Sequence, residues 1–231
     1  MKKRSKRYQE RANLVDAKKR YSLGEALKVL KQFPKGKFDE SIELNVQLGV
    51  DPAKAEENVR GTVQLPNGSG KAVKVLCICK GEEVKAAQSA GADYVGADEY
   101  VSKIQEGWLD FDVLVAHPDM MREISKLGRV LGPKGLMPSP KAGTVSTDVG
   151  KAVKEIKKGK IEFKSDKTGG LHVACGRISF TDQALQENAK SVIKALVDQR
   201  PSSVKGEFIK AVSIATTQGP GLKLETSSLV A

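Results

Sequence analysis

The side chains that could bear catalytic or metal chemistry are few, and their spacing does not suit it. Cys77, Cys79 and Cys175 are an odd number, which gives no disulfide framework. Cys77 and Cys79 alternate within VKVLCICK and share one face of a strand, which fits buried thiols in a reducing cytosol better than metal or redox chemistry. His117 and His172 lie on different segments, with no spaced cysteine or carboxylate partners for a metal. GSGK at 68–71 resembles the end of a phosphate-binding loop, but Leu65 stands where its first glycine belongs and Ala72 where a hydroxyl would hold magnesium. The turn Lys80-Gly81-Glu82 has one glycine, and it puts two carboxylates where a pyrophosphate would sit. No nucleophile elbow or other hydrolase signature is present. The expectation is a protein that is not an enzyme and that uses no metal and no cofactor.

The other group with chemical potential is cationic. Leu127 to Val145, LGRVLGPKGLMPSPKAGTV, holds four glycines and three prolines, and no carboxylate falls between Glu123 and Asp148. Glycine and proline at this density should not sustain a helix or an interior strand. The segment is therefore expected to be an ordered loop carrying Arg129, Lys134 and Lys141 toward an anion, with a plain surface turn as the alternative. Loops longer than about 12–15 residues inside a compact domain are more often functional than not.

The whole chain repeats that charge sign. Its 231 residues carry a formal net charge of +11, which points to a polyanion, nucleic acid first and an acidic membrane surface second. No apolar run approaches the roughly 18 residues needed to span a bilayer. The first 21 residues hold nine lysines and arginines against two carboxylates. They lack the apolar core of a secretory signal and read as a solvated arm suited to phosphate contact.

The elements that position these residues can be read from periodicity. Ser22 and Glu25 stand at capping-box spacing before a helix of Leu23, Ala26, Leu27 and Leu30, which ends at Pro34-Lys35-Gly36. Ile42, Leu44, Val46 and Leu48 alternate with polar residues, the pattern of a half-buried strand. A short strand spans Gly61 to Leu65, and PNGSG then breaks the pattern. From Lys71 to about 158, strands (Val73 to Cys79, Ala92 to Val95, Phe111 to Ala116) alternate with helices, the last capped by Asp148. That order implies βαβ units and a mostly parallel sheet with helices on both faces. IEFKSDKTGGLHVACGRISF reads as two strands joined by a turn at Lys167-Thr168-Gly169-Gly170. A long amphipathic helix runs from about Asp182 to Gln199. A strand at Val212 to Ala215 enters the turn Thr216-Thr217-Gln218-Gly219-Pro220, and Leu222 to Leu224 can pair with it.

Residues 70–158 hold 14 of the 39 basic and 12 of the 28 acidic residues, a net +2, which leaves +9 on the flanks. The simplest topology is one discontinuous domain, 1–69 with 159–231, into which 70–158 is inserted. Two separate flanking domains would each have only about 70 residues and a thin core. Three flank turns, at Lys37-Phe38-Asp39, at 167–170 and at 216–220, offer cations, an aromatic and hydroxyl or backbone groups of the kind that meet phosphates, bases and 2′-hydroxyls. If the flanks form one sheet, these turns are expected to converge at one edge of it.

LGxxLGPKGLMPxPKxGTV at 127–145 resembles the signature of the large-subunit ribosomal protein one family. KFDESIEL at 37–44, DPAKAEENVRGTVQLP at 51–66, GADYVG at 91–96, DKTGGLH at 166–172 and ATTQGP at 215–220 match that family in order, in a bacterial-type form. The resemblance implies an α/β fold: a discontinuous, sandwich-like α+β domain with the main RNA surface, and an inserted Rossmann-like three-layer domain. Hinges are implied near Leu65 to Gly70 and at Gly159-Lys160. It implies binding to 23S-type rRNA in the large ribosomal subunit of the cytoplasm and a mobile stalk near the exit site that assists release of deacylated tRNA. It also implies repression of the protein's own operon mRNA, and a chain that is monomeric when free. The implied RNA contacts are Lys37, Phe38, Ser41, Glu43, Lys167, Thr168, Gly169, Thr216, Thr217, Gly219 and Pro220, with Gln218 where the family usually has methionine. Arg129, Lys134 and Lys141 are implied as a secondary contact.

Overall fold

The structure, a computed structural model, describes residues 4–226 apart from Ala53, so the first three residues of the basic run lie outside it. In chain order come α1 (Lys6–Asn13), α2 (Leu23–Gln32), β1 (Ser41–Leu48) and β2 (Arg60–Gln64). Next are β3 (Val75–Ile78), α3 (Glu83–Ser89), β4 (Tyr94–Gly96), α4 (Asp98–Gln105), β5 (Val113–Ala116), α5 (Met121–Ser125), α6 (Gly128–Leu131) and α7 (Val149–Lys157). Then follow β6 (Lys160–Lys164), β7 (Gly170–Arg177), α8 (Asp182–Asp198), β8 (Ile209–Thr216) and β9 (Leu222–Leu224). The fold is mixed α/β, and the chain divides into two compact units, residues 1–70 with 162–231 and residues 71–161.

The first unit is built on an antiparallel sheet of order β7-β1-β8-β9. Strand β1 is an inner strand, and its alternation sends Ile42, Leu44, Val46 and Leu48 into the core, none more than 2% exposed. That inner face is covered by α2 and α8. Helix α2 starts where Ser22 Oγ accepts from the Glu25 amide, the capping geometry its sequence predicts. Thr181 does the same for α8, whose Leu185, Ala189, Val192, Ile193 and Leu196 stripe is wholly buried. Buried among them is Asn188, whose amide donates to Cys175 O (2.8 Å) and Gly68 O (3.0 Å) and accepts from Asn67 N (3.1 Å). One polar side chain thereby ties the 67–68 turn, α8 and β7 together.

One sequence expectation for this unit holds and one needs correction. The two strands expected at 160–177 are present and joined by a turn, but they do not pair with each other: β6 pairs with β2 and β7 with β1. The chain leaves the first pairing at Ser165, whose amide donates to Val59 O (2.9 Å), and turns at Asp166 into the second sheet. Nor is the basic N-terminus only a solvated arm. Residues Lys6–Asn13 are helical, and Arg11 is 1% exposed against Glu40 at 2%. The guanidinium grips the carboxylate through two bonds, Nη1 to Oε2 (2.9 Å) and Nη2 to Oε1 (2.6 Å), and also donates to Pro34 O. A buried charge is tolerable only when paired and fully hydrogen-bonded in this way.

The second unit is the parallel sheet β4-β3-β5 with a core on each face. Leu76, Ile78 and Leu114 face α4, α5 and α6, while Val75, Cys77, Cys79 and Val115 face α3 and α7. Cys77 and Cys79 do share a face, with sulfurs 3.7 Å apart, and all three cysteines are free and buried. The loop at 127–145 is ordered but not free of helix. Gly128–Leu131 makes one helical turn, because Leu127 and Leu131 are buried in the core and outweigh the glycine penalty. Ser139 N donates to Thr144 Oγ1 (2.8 Å), and Val145 bridges to Ala116 at the end of β5.

Burial pushes the Cys175 thiol up to about 12 and raises those of Cys77 and Cys79. All three should resist a thiol reagent at pH 8 in the folded protein and react fully in denaturant. Asn188→Ala removes the partner of three backbone groups, of which the Cys175 carbonyl is buried, and should cost about 2–4 kcal/mol in urea unfolding.

Candidate nucleic-acid interface

The same alternation that buries half of β1 turns Ser41, Glu43, Asn45 and Gln47 to the face away from α2 and α8, where all are at least partly exposed. Register supplies their neighbours. Glu43 lies between Ala174 of β7 and Ala215 of β8, and Gln47 between Gly170 and Ala211. Asn45 lies between His172 and Ser213, with Lys223 beyond on β9. A His172 Nδ1 to Asn45 Oδ1 bond of 2.6 Å braces that row. The Glu43 carboxylate is therefore flanked on both neighbouring strands by alanines, whose short side chains leave room beside it.

Each end of the stripe is closed by a turn. At the start of β1, Phe38 is 48% exposed beside exposed Lys37. Beside it, Thr217 continues the β8 pairing: its amide donates to Ser41 O (3.1 Å), and its Oγ1 accepts from Ser41 N (3.0 Å). The Gln218 amide donates to Glu40 Oε2 (3.2 Å), and the Gln218 side chain accepts from Arg7. Gly219 admits no side chain, since a Cβ there would lie 2.4 Å from Thr216 Oγ1 and 3.1 Å from the Phe33 ring. At the other end, Asp166 Oδ1 accepts from Thr168 N, Thr168 Oγ1 and Gly170 N, each at 2.7 Å, and these bonds hold its carboxyl below the ordinary value. Gln47 Nε2 donates to Thr168 O at 3.0 Å.

These positions revise the expected convergence. The turns at 37–39 and 216–220 do meet, because Ile42 pairs with Thr216. The turn at 167–170 lies at the opposite end, because Gly170 pairs with Gln47, so the surface is a stripe roughly 20 Å long along β1 and not a single cluster. Thr216 is 4% exposed and points inward. Gly169 is buried at φ +75°, and its carbonyl accepts from Leu48 N (2.9 Å), so it shapes the turn from within. Lys37, Phe38, Lys167, Thr168, Thr217 and Gln218 are exposed, and Ser41, Glu43, Gly219 and Pro220 are partly so. Asn45, His172 and Ser213 are absent from the RNA contacts expected from sequence, although the polar half of the β1 alternation marks Asn45. The Arg11–Glu40 pair had no such signal, being 29 residues apart within a run that looks solvated.

In the second unit Arg129, Lys134 and Lys141 are exposed on the ordered 127–145 segment. Among the described residues, no group of three or more His, Cys, Asp or Glu could hold a metal ion, and no helix is long and apolar enough to cross a membrane.

Fold and surface together define a mixed α/β protein with an open, polar sheet face, clasped at both ends. The Ribosomal protein L1p/L10e family matches over residues 30–220, and the chain therefore belongs to the ribosomal protein L1 family. It is 54% identical over 230 residues, a coverage of 100% of each chain, to the large ribosomal subunit protein uL1 of Kosmotoga olearia. Helix α1 lies outside the span matched to the family.

The Arg11 hydrogen bonds hold the Glu40 carboxyl below its ordinary value, against the opposing effect of burial. A lowered native value means that Glu40 contributes stability in full above its unfolded value of about 4.5 and loses it as pH falls through the native value. Unfolding free energies of the wild type and Glu40→Gln should therefore differ by a constant amount above pH 6 and converge in acid.

Proposed function

We propose that this protein is a non-enzymatic structural constituent of the large ribosomal subunit and binds a helical region of 23S-type rRNA through the open sheet face of its first unit. The observation that carries the reading is the uncovered stripe from Thr217 through Ser41, Glu43 and Asn45 to Thr168. A-form RNA offers a wide, shallow minor groove lined by 2′-hydroxyls, which a flat face can meet and a pocket cannot. Lys37 and Lys167 neutralise phosphates near the two ends, and Phe38 offers a ring for one unstacked base. Glu43 repels phosphate, so its partner is a donor, a 2′-hydroxyl or a base amino group, brought close over Ala174 and Ala215.

In this reading the first unit is the principal RNA-binding domain and the second a Rossmann-like domain inserted into it. Arg129, Lys134 and Lys141 provide a second, weaker RNA contact. The protein forms the mobile stalk near the exit site of the cytoplasmic ribosome, where it assists release of deacylated tRNA. The same surface binds a similar structure in its own operon mRNA and represses translation. Membership of the ribosomal protein L1 family supports the assignment to the ribosome, and the +9 charge outside residues 70–158 supports the choice of surface.

The test is equilibrium binding of the full chain to a large-subunit rRNA fragment, to the same sequence as DNA, and to tRNA and heparin as competitors. Phe38→Ala should weaken rRNA binding by about 1–3 kcal/mol, the scale of one lost base stack. Glu43→Ala should narrow the preference for RNA over DNA while leaving DNA binding unchanged or tighter. Equal competition by heparin at moderate salt would replace this reading with a sequence-independent polyanion binder. Saturable ATP binding without preference for structured RNA would reject it.

A further inference from the structure

Helix α1 carries three cations between residues 6 and 11, and a basic helix beside an RNA surface is ordinarily taken as a phosphate contact. The geometry contradicts that for two of them. Arg11 is 1% exposed and spends its guanidinium on Glu40 and Pro34 O, with its charge also 5.7 Å from the Phe33 ring centroid. Arg7 donates to the side-chain oxygen of Gln218. Every hydrogen-bond partner in this set belongs to one of the two turns that close the Phe38 end of the stripe. Pro34 and Glu40 bracket the turn carrying Lys37 and Phe38. Glu40 Oε2 in turn accepts from the Gln218 amide (3.2 Å), in the turn carrying Thr217.

We propose that Arg7 and Arg11 are positioning residues: from α1 they clamp the 34–40 and 216–220 turns into one preformed RNA-binding platform, and neither arginine touches RNA. This rests on the RNA-binding reading above and deepens it. Both turns lie outside the regular elements, and apart from the clamp Thr217 is tied to Ser41 and Asp39 to Arg177 and Ser179. Residues 34–40 lie between α2 and β1, and 217–221 between β8 and β9. Without the clamp, the groups that meet RNA must be ordered at the moment of binding, and that ordering subtracts from affinity. The Glu40 carboxylate is the hinge of the arrangement, since one of its oxygens serves both the Arg11 fork and the Gln218 amide. Gln218 adds a second tie, to Arg7, that the thioether of a methionine at this position would accept only weakly.

The experiment measures binding of the full-length protein to the large-subunit rRNA fragment as a function of salt, with thermal melts of each variant. Arg11→Lys keeps the charge and removes the two-pronged fork. It should weaken binding by about tenfold at a temperature where the variant is fully folded. The slope of log affinity against log salt should not change, because no phosphate contact is lost. Arg7→Ala and Gln218→Ala alter a partly exposed and an exposed side chain, outside the core, and they decide the matter if Arg11→Lys does not fold. Each should weaken binding by the same factor of a few, and the double variant by no more than either alone, because both remove one bond. A salt slope that drops by about 0.7–0.9 in Arg7→Ala would overturn the proposal by making Arg7 a phosphate contact. Wild-type affinity in folded Arg11→Lys and in Gln218→Ala would overturn it too, leaving the RNA-binding reading intact. Failure of the wild type to bind the fragment at any salt would reject both.

Discussion

Everything in the first unit depends on the two-sidedness of β1. An inner strand of an antiparallel sheet must pair on both edges, and its side chains must alternate between the faces. Here the strict alternation of Ile42, Leu44, Val46 and Leu48 with Ser41, Glu43, Asn45 and Gln47 fixes which face α2 and α8 cover. A slip of one residue would bury a carboxylate and expose four aliphatic side chains, so the register is held by the core. The polar face is thereby determined by the apolar one. The surface that meets RNA in the proposed reading is a by-product of packing on the other side.

The ends of that strand show how the fold handles polar groups it cannot expose. Asp166 caps three donors in its turn, Thr217 closes on the backbone of Ser41, and Glu40 is buried only because Arg11 comes with it. Breaking one partner of such a pair leaves an uncompensated charge in a dry site. Asn188 performs the same service inside the unit, satisfying one donor and two acceptors on two other segments, the 67–68 turn and β7. These groups set turn geometry, and side chains such as Phe38 and Thr168 are presented by it.

Much of this was legible beforehand. The caps at Ser22 and Asp148 and the stripe on α8 follow from local rules, as does the alternation in β1. Each depends on residues within a few positions of one another. The helix at Gly128–Leu131 was missed because local propensity counted glycines and could not weigh the burial of Leu127 and Leu131. The pairing of β6 with β2 carries no local sequence signal, because the partner strand is about 100 residues away.

The sequence by itself determined the alternating core, the charge imbalance between 70–158 and the flanks, and the motifs that mark the family. All are properties of composition, spacing and local period. Only the tertiary structure decided which of those residues meet. It separated the Thr168 turn from the Thr217 turn by the length of β1, turned Thr216 inward, and took Arg11 out of a basic run to pair with Glu40. The physical reason is that antiparallel register sends consecutive turns to opposite ends of a sheet. Burial of a charge, likewise, depends on a partner that no local pattern can name.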